Sequence, residues 1–230
     1  MPYEQEVEPT NARARIYLQP IAAPSILGLY GFAGATFMVA ANMAHWYGNA
    51  ASPLYLFPFA AIFGGLAQFL AGMWAYKARD GVATAMHGMW GSFWMSYGIL
   101  YLLVALGRIA VPGTRWDAIG WWFIVLAAIT WVGMAAAGAE SRSLVVVLGF
   151  LAAGSTTGAI GYLTGGEWLL TLTGYLFMIS AVAAWYTASA LMLSEAFGHE
   201  VWPVGKSRQI REMPPVAIGI GEPGVIRGQA

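Results

Sequence analysis

From Ile16 to Tyr76 the chain carries no Asp, Glu, Lys or Arg. A helix needs about 20 predominantly apolar residues to cross the hydrocarbon core of a bilayer. That interval is therefore long enough for two crossings. Charged residues make up 10% of the whole chain, against roughly 25% in soluble domains. These two features place the chain in lipid and give the expected fold class, an all-α integral membrane bundle.

Further apolar stretches bring the expected number of transmembrane helices to six. They run about Ser25–Tyr47, Leu54–Tyr76, Val82–Leu106, Ala118–Gly138, Ser143–Thr164 and Trp168–Ser194. Pro24 opens the first, as proline often does in a helix's first turn, and Lys77-Ala78-Arg79-Asp80 makes a short charged turn between the second and third. Residues 1–22 read as a polar tail with an amphipathic piece around Ala12–Leu18, 23–197 as the six-helix membrane domain, and 198–230 as a second tail. The stretch from Glu195 onward, rich in proline and glycine, reads as flexible. Glu4, Glu6 and Glu8 and the lack of an apolar core near Met1 speak against a signal peptide, so the first span is expected to act as its own insertion signal.

An even number of spans puts both tails on one side. Arg13, Arg15, Lys77, Arg79, Arg142, Lys206, Arg208, Arg211 and Arg227 all fall there, leaving Arg108 and Arg115 opposite. That asymmetry makes both termini cytoplasmic. Trp46, Tyr47, Trp116, Trp121, Trp122 and Trp168 gather at the expected outer ends, like an interfacial aromatic belt. The expected location is a bacterial or archaeal plasma (inner) membrane, crossed several times.

Several function classes drop out. Zero net charge without a basic stripe speaks against nucleic acid. The absence of cysteine removes disulfides, thiolate metal sites and cysteine nucleophiles. No span holds an acidic or basic side chain at depth, which argues against a strongly driven ion antiporter. Lys77 and Lys206 both lie outside the spans, so no retinal Schiff base is available. His45 and His87 fall at different depths, which speaks against a bis-histidine haem. No metal, cofactor or enzymatic activity is expected.

The polar residues left at depth are the candidates for function. Gln68, and with a weaker case Asn42, must find an interhelical partner or face a pore. His87 reads equally as a hydrogen-bonded helix-end histidine or as a pH-sensitive vestibule group; His45 reads as interfacial. His87, Trp90, Trp94 and Tyr97 share one helix face, a stripe that beside Gly91 and Ser92 is either packing or a constriction. The helix start near Pro24–Leu27 offers backbone N–H groups at the positive end of the helix dipole. Small residues at helical spacing, among them Gly154, Gly158 and Gly161, or Gly28, Gly31 and Ala35, supply close packing within a protomer or between subunits.

Several islands carry a family resemblance. Ala23-Pro24-Ser25-Ile26-Leu27-Gly28-Leu29-Tyr30-Gly31-Phe32 resembles the NPAPLGLxGF signature that opens helix one of the acetate uptake transporter family, which includes bacterial succinate–acetate permease and fungal acetate/ammonia exporter relatives. Gly64-Gly65-Leu66-Ala67-Gln68, Ala71-Gly72, Tyr76-Lys77 and Gly91-Ser92-Phe93-Trp94 are similar to its second and third helices. Glu195-Ala196-Phe197-Gly198 with Trp202-Pro203-Val204-Gly205 resembles its exit from helix six. The resemblance implies a homo-hexamer of six-helix protomers, each with its own pore for acetate and related small monocarboxylates. It also implies a pore constriction at Phe32, Trp90 and Leu151, with Trp90 standing where the family usually has Tyr. Ala23, Ile26 and Ala75 are further departures, replacing the family's Asn, its second Pro and an acidic residue.

The expected function is thus a membrane channel or transporter for acetate and related acids, proton-linked or passing the protonated acid through an apolar constriction that gates by dewetting. The substrate path is expected to include Leu27, Gly28, Leu29, Asn42, Gln68, His87, Ser92 and Trp94. The partners expected are the cargo acid, the lipid bilayer and other copies of the chain. One alternative is a hexameric channel for a small neutral solute such as urea or a short amide; a membrane redox protein is the more distant one.

Overall fold

The computed structural model describes residues 21–207. Six helical rods fill it: α1 (Pro24–Met43), α2 (Pro53–Ala78), α3 (Gly81–Ala105), α4 (Asp117–Ala137), α5 (Arg142–Thr164) and α6 (Glu167–Phe197). All but α3 are long and apolar enough to cross a membrane. α3 has 25 residues but interleaves its apolar side chains with His87, Ser92, Ser96 and several glycines. Among the described residues there is no strand beyond a single bridge between Ser141 and Lys206.

Local chemistry sets the helix ends. Pro24 and Pro53 occupy first turns, where a missing N–H costs nothing. Asp80 caps α3 by accepting from Ala83 N–H at 2.8 Å, and Ser141 caps α5 through Leu144 N–H. α1 stops at Met43 rather than Tyr47, because His45 turns into the left-handed region (φ 59) and Trp46 N–H folds back onto Ala41 O. Gly165 and Gly198 end α5 and α6 in the same region, which glycine enters without a side-chain clash.

Within α2, Pro58 cannot donate a helical hydrogen bond, and from Ala60 to Ala67 the rod winds as a π-helix before resuming the α form at Gln68. Such widened turns are rare and frequently sit beside functional sites. This one brings the Phe63 carbonyl against Gly31 of α1, where any Cβ would collide with it.

The rods form a ring. α4 packs on α5, α5 on α6, α6 on α1, α1 on α2 and α2 on α3; α3 touches α4 and α1 more lightly. Hydrophobic cohesion is weak between helices in lipid, so small residues hold such a ring by letting backbones approach. The clearest case joins α2 and α3: a Cβ on Gly72 would stand 2.7 Å from Gly88 N.

The segment after α6, expected to be flexible, is held down as far as Ser207. Arg142 N–H donates to Gly205 O (3.0 Å), Ser143 N–H to Val204 O (3.1 Å) and Ser207 N–H to Glu140 O (2.9 Å). Trp202 stacks on Tyr186, whose hydroxyl donates to Pro203 O. The expected amphipathic piece at Ala12–Leu18 and the chain beyond Ser207 lie outside the described residues.

This packing makes an asymmetric prediction. Gly72→Ala must push two backbones apart, while Gly88→Ala meets nothing within reach. Thermal unfolding in detergent should show Gly72→Ala destabilised by about 1–3 kcal/mol and Gly88→Ala unchanged or slightly stabilised by its better helix propensity.

Candidate functional site

Among the described residues, two cavities open within the ring. The lower one, about 40 Å³, lies at the end of the ring where α1 begins and where the α2–α3 and α4–α5 turns sit. Its polar lining is Ser25, Gln68, Asp80, His87 and Glu140. The upper one, about 140 Å³, is lined largely by aromatic rings and includes Thr36, Asn42, Trp94, Tyr97, Tyr101 and Tyr162. Trp90 and Leu151 line both cavities, and Phe32 borders the lower one.

Trp90 is the hub between them. The α3 and α6 backbones do not pack on each other, so the indole crosses the middle of the ring. Its ring meets Phe32, Phe93 and Phe177 edge-on, at centroid separations of 6.3, 5.4 and 6.3 Å, the arrangement aromatic quadrupoles favour. Its Nε1–H donates to Thr130 Oγ1 at 3.0 Å, and that hydroxyl donates in turn to Leu126 O at 2.6 Å. Trp90 is 2% exposed and Thr130 fully buried. The one polar atom of the indole is therefore satisfied, and the face left toward the cavities is apolar.

Four buried side-chain atoms have no hydrogen-bond partner among the described residues: Gln68 Oε1, His87 Nδ1, Thr36 Oγ1 and Trp94 Nε1. Gln68 and His87 line the lower cavity; Thr36 and Trp94 line the upper. Buried polar groups are nearly always paired, and leaving one bare costs about 1–3 kcal/mol. Two such atoms in each cavity, on opposite sides of an apolar waist, mark places where a hydrogen-bonding solute gains most.

The expected site residues fare unequally. Phe32, Trp90 and Leu151 are all buried; Trp90 and Leu151 line both cavities, and Phe32, edge-on to Trp90, lines the lower one. Leu29, Gln68 and His87 line the lower cavity and Trp94 the upper. Gly28 lies directly under the His87 imidazole, with room for no Cβ: the nearest ring atom would be 2.5 Å away. His87 is thus a buried cavity residue rather than a hydrogen-bonded helix-end histidine. Asn42 borders the upper cavity, but its amide donates to Tyr47 O at 3.0 Å. Leu27 is exposed on the outer face of α1, and Ser92 bonds back to Gly88 O within α3. Neither Leu27 nor Ser92 lines a cavity. His45 is exposed in its turn, far from any role alongside His87.

Sequence reading missed Thr130, Phe177, Asp80 and Glu140. A threonine or phenylalanine within an apolar span carries no local mark of its partner. Glu140 did carry a signal, as an acidic residue in a very short turn between two spans. It is half-buried there, and burial, with the neighbouring Asp80 carboxylate adding to it, pushes its carboxyl up to about 7.

The profile of the GPR1/FUN34/yaaH family matches residues 4–204. The chain belongs to this family. It is 28% identical over 192 residues to the succinate-acetate/proton symporter SatP of Escherichia coli (strain K12), covering 81% of this chain and 97% of that protein. It is 29% identical over 180 residues to ammonia transport outward protein 2 of Saccharomyces cerevisiae, covering 74% and 61%. A solved structure of the bacterial acetate channel SatP superposes with a TM-score of 0.74 at 25% identity, over 81% of this chain and 100% of that one. These relatives are transporters and a channel rather than enzymes, and the chain is a multi-pass protein of the plasma membrane.

The Trp90–Thr130 bond yields a test. Thr130→Val keeps the shape but leaves a buried indole N–H without an acceptor. It should lower stability in detergent by about 1–3 kcal/mol, while Thr130→Ser, which keeps the acceptor, should lose less than half of that.

Proposed function

We propose that this member of the GPR1/FUN34/yaaH family carries acetate and similar small monocarboxylic acids across the membrane. All six rods span it, both termini are cytoplasmic, and the lower cavity faces the cytoplasm. Phe32, Trp90 and Leu151 form the neck of the path. The assembly that the family resemblance implies is a homo-hexamer with one pore in each protomer. The observation that carries this reading is the pair of cavities meeting at Trp90 and Leu151, each with two unpartnered buried polar atoms. The relatives named as symporter and acetate channel supply the cargo class.

The path begins at the lower cavity, where the cargo's carboxyl group meets Gln68 and His87. A protonated acid donates its O–H to Gln68 Oε1 and, depending on the imidazole tautomer, exchanges a hydrogen bond with His87 Nδ1. Between the cavities it passes an apolar waist whose only polar atom, Trp90 Nε1, is already engaged by Thr130. Among the described residues no fixed cation lines either cavity, so a bare carboxylate would lose its water there without compensation. Crossing as the neutral acid, or together with a proton, avoids that cost. On the far side Thr36 and Trp94 take over the hydrogen bonds, and the aromatic walls of the upper cavity accept the cargo's methyl group.

Radiolabelled acetate uptake into proteoliposomes tests the reading. A carboxylic acid with a pKa near that of glutamate, about 4.3, is mostly ionised at neutral pH, so uptake should rise as pH falls; a flat profile would count against proton-linked passage. Trp90→Ala should open the neck and raise succinate uptake relative to acetate. Unchanged selectivity would remove Trp90 from the neck.

A further inference from the structure

Two carboxyl groups at the mouth of a path for a carboxylate have the wrong sign. Asp80 and Glu140 both line the lower cavity, and an ionised pair there repels an approaching anion. The two are not equivalent. Asp80 accepts a hydrogen bond from Ala83 N–H at the start of α3. The Glu140 carboxyl has no hydrogen bond among the described residues and is half-buried. Its backbone is fixed from both sides, by the α4–α5 turn and by Ser207 N–H donating to Glu140 O across the bridge between Ser141 and Lys206.

We propose that Glu140 is a proton-operated charge filter at this mouth: protonated, it leaves a single negative charge and lets the cargo carboxyl reach Gln68 and His87; ionised beside Asp80, it turns the anion away. The inference rests on reading the cavities as an acid path. It adds to that reading a specificity-determining residue, on a turn outside the spans, that sets when the path accepts cargo from this side.

Among the described residues, none of the other charged groups at this end acts on Glu140 as Asp80 does. From α2, Lys77 lies over the Trp74 ring, 4.9 Å from its centroid. Arg79 stands on the α2–α3 turn with an interaction of its own. Arg142, at the start of α5, has its side chain against Gly205, and Lys206 belongs to the strap. From α3, His87 lies in the same cavity, and α1 contributes only Ser25 as a polar group there. The Asp80 charge acts on Glu140 in the same direction as burial. Deeper in, the unpartnered Gln68 Oε1 and His87 Nδ1, both more than nine-tenths buried, are the atoms that a cargo admitted past Glu140 would meet.

The test is equilibrium exchange of radiolabelled acetate in proteoliposomes of the full chain, at the same pH on both sides, with exchange in protein-free vesicles subtracted. The ratio of Glu140→Gln to wild-type exchange cancels the cargo's own titration. That ratio should be near one at about pH 6 and rise to about threefold or more at about pH 8. Glu140→Asp should keep the wild-type dependence. Asp80→Asn retains a helix-capping side chain but removes the like charge, so even an ionised Glu140 leaves one negative charge at the mouth and the fall in exchange with rising pH should weaken. A Glu140→Gln ratio that stays flat, or an Asp80→Asn profile that falls as steeply as the wild type, overturns the role of Glu140. Wild-type vesicles that exchange no more acetate than empty ones overturn the acid-path reading itself.

Discussion

The bond between the Trp90 indole N–H and the Thr130 hydroxyl is what allows an aromatic side chain to stand in the middle of this helix ring. In lipid, a buried donor without an acceptor has no water to fall back on. Thr130 supplies that acceptor and donates its own O–H to Leu126 O, so the demand ends inside α4. Once the indole is fixed, its ring offers edges and faces to Phe32, Phe93 and Phe177. Helices that do not pack backbone to backbone are tied together through one side chain, and the space on either side of it becomes two cavities rather than one.

That waist also explains the distribution of polarity. Among the described residues charge is confined to the turns and the helix ends, and the unpartnered polar atoms at depth belong to an amide, an imidazole, a hydroxyl and an indole. Neutral groups can be left unpartnered in a lipid-embedded protein at a cost of about 1–3 kcal/mol each, whereas an unpaired charge would cost far more. A path built from them offers hydrogen bonds at stations along its length and holds no cargo tightly at any of them. The acidic turn at the lower mouth then decides which form of the cargo gets that far.

The π-helical part of α2 serves the same arrangement. Pro58 breaks the hydrogen-bond ladder, the wider turns carry Gly64 and Gly65 close to α3, and the rod regains its α form at Gln68. Each added residue in a widened turn rotates the next stretch of helix about its axis. The inward direction of Gln68 therefore depends on that segment, and a helical wheel drawn through a uniform α-helix would misplace it.

Sequence alone determined that the chain belongs in lipid, that it is helical, and roughly where the rods lie, because long charge-free stretches and prolines at their starts act locally. It also pointed to Gln68, His87 and Trp90, since a polar or oversized side chain in an apolar run needs a reason to be there. Leu27 and Ser92 lie off both cavities: a short motif gives neighbours in the chain but not the face each one presents, and one turns outward while the other bonds within its own helix. Only the tertiary structure decided that Trp90 is paired with Thr130, forty positions away, that Glu140 shares a cavity with Asp80, and that the chain as far as Ser207 clamps the α4–α5 turn. Those relations are set by how separate helices meet, and the energy of a hydrogen bond or of a like-charge pair depends on distances that no single stretch of chain contains.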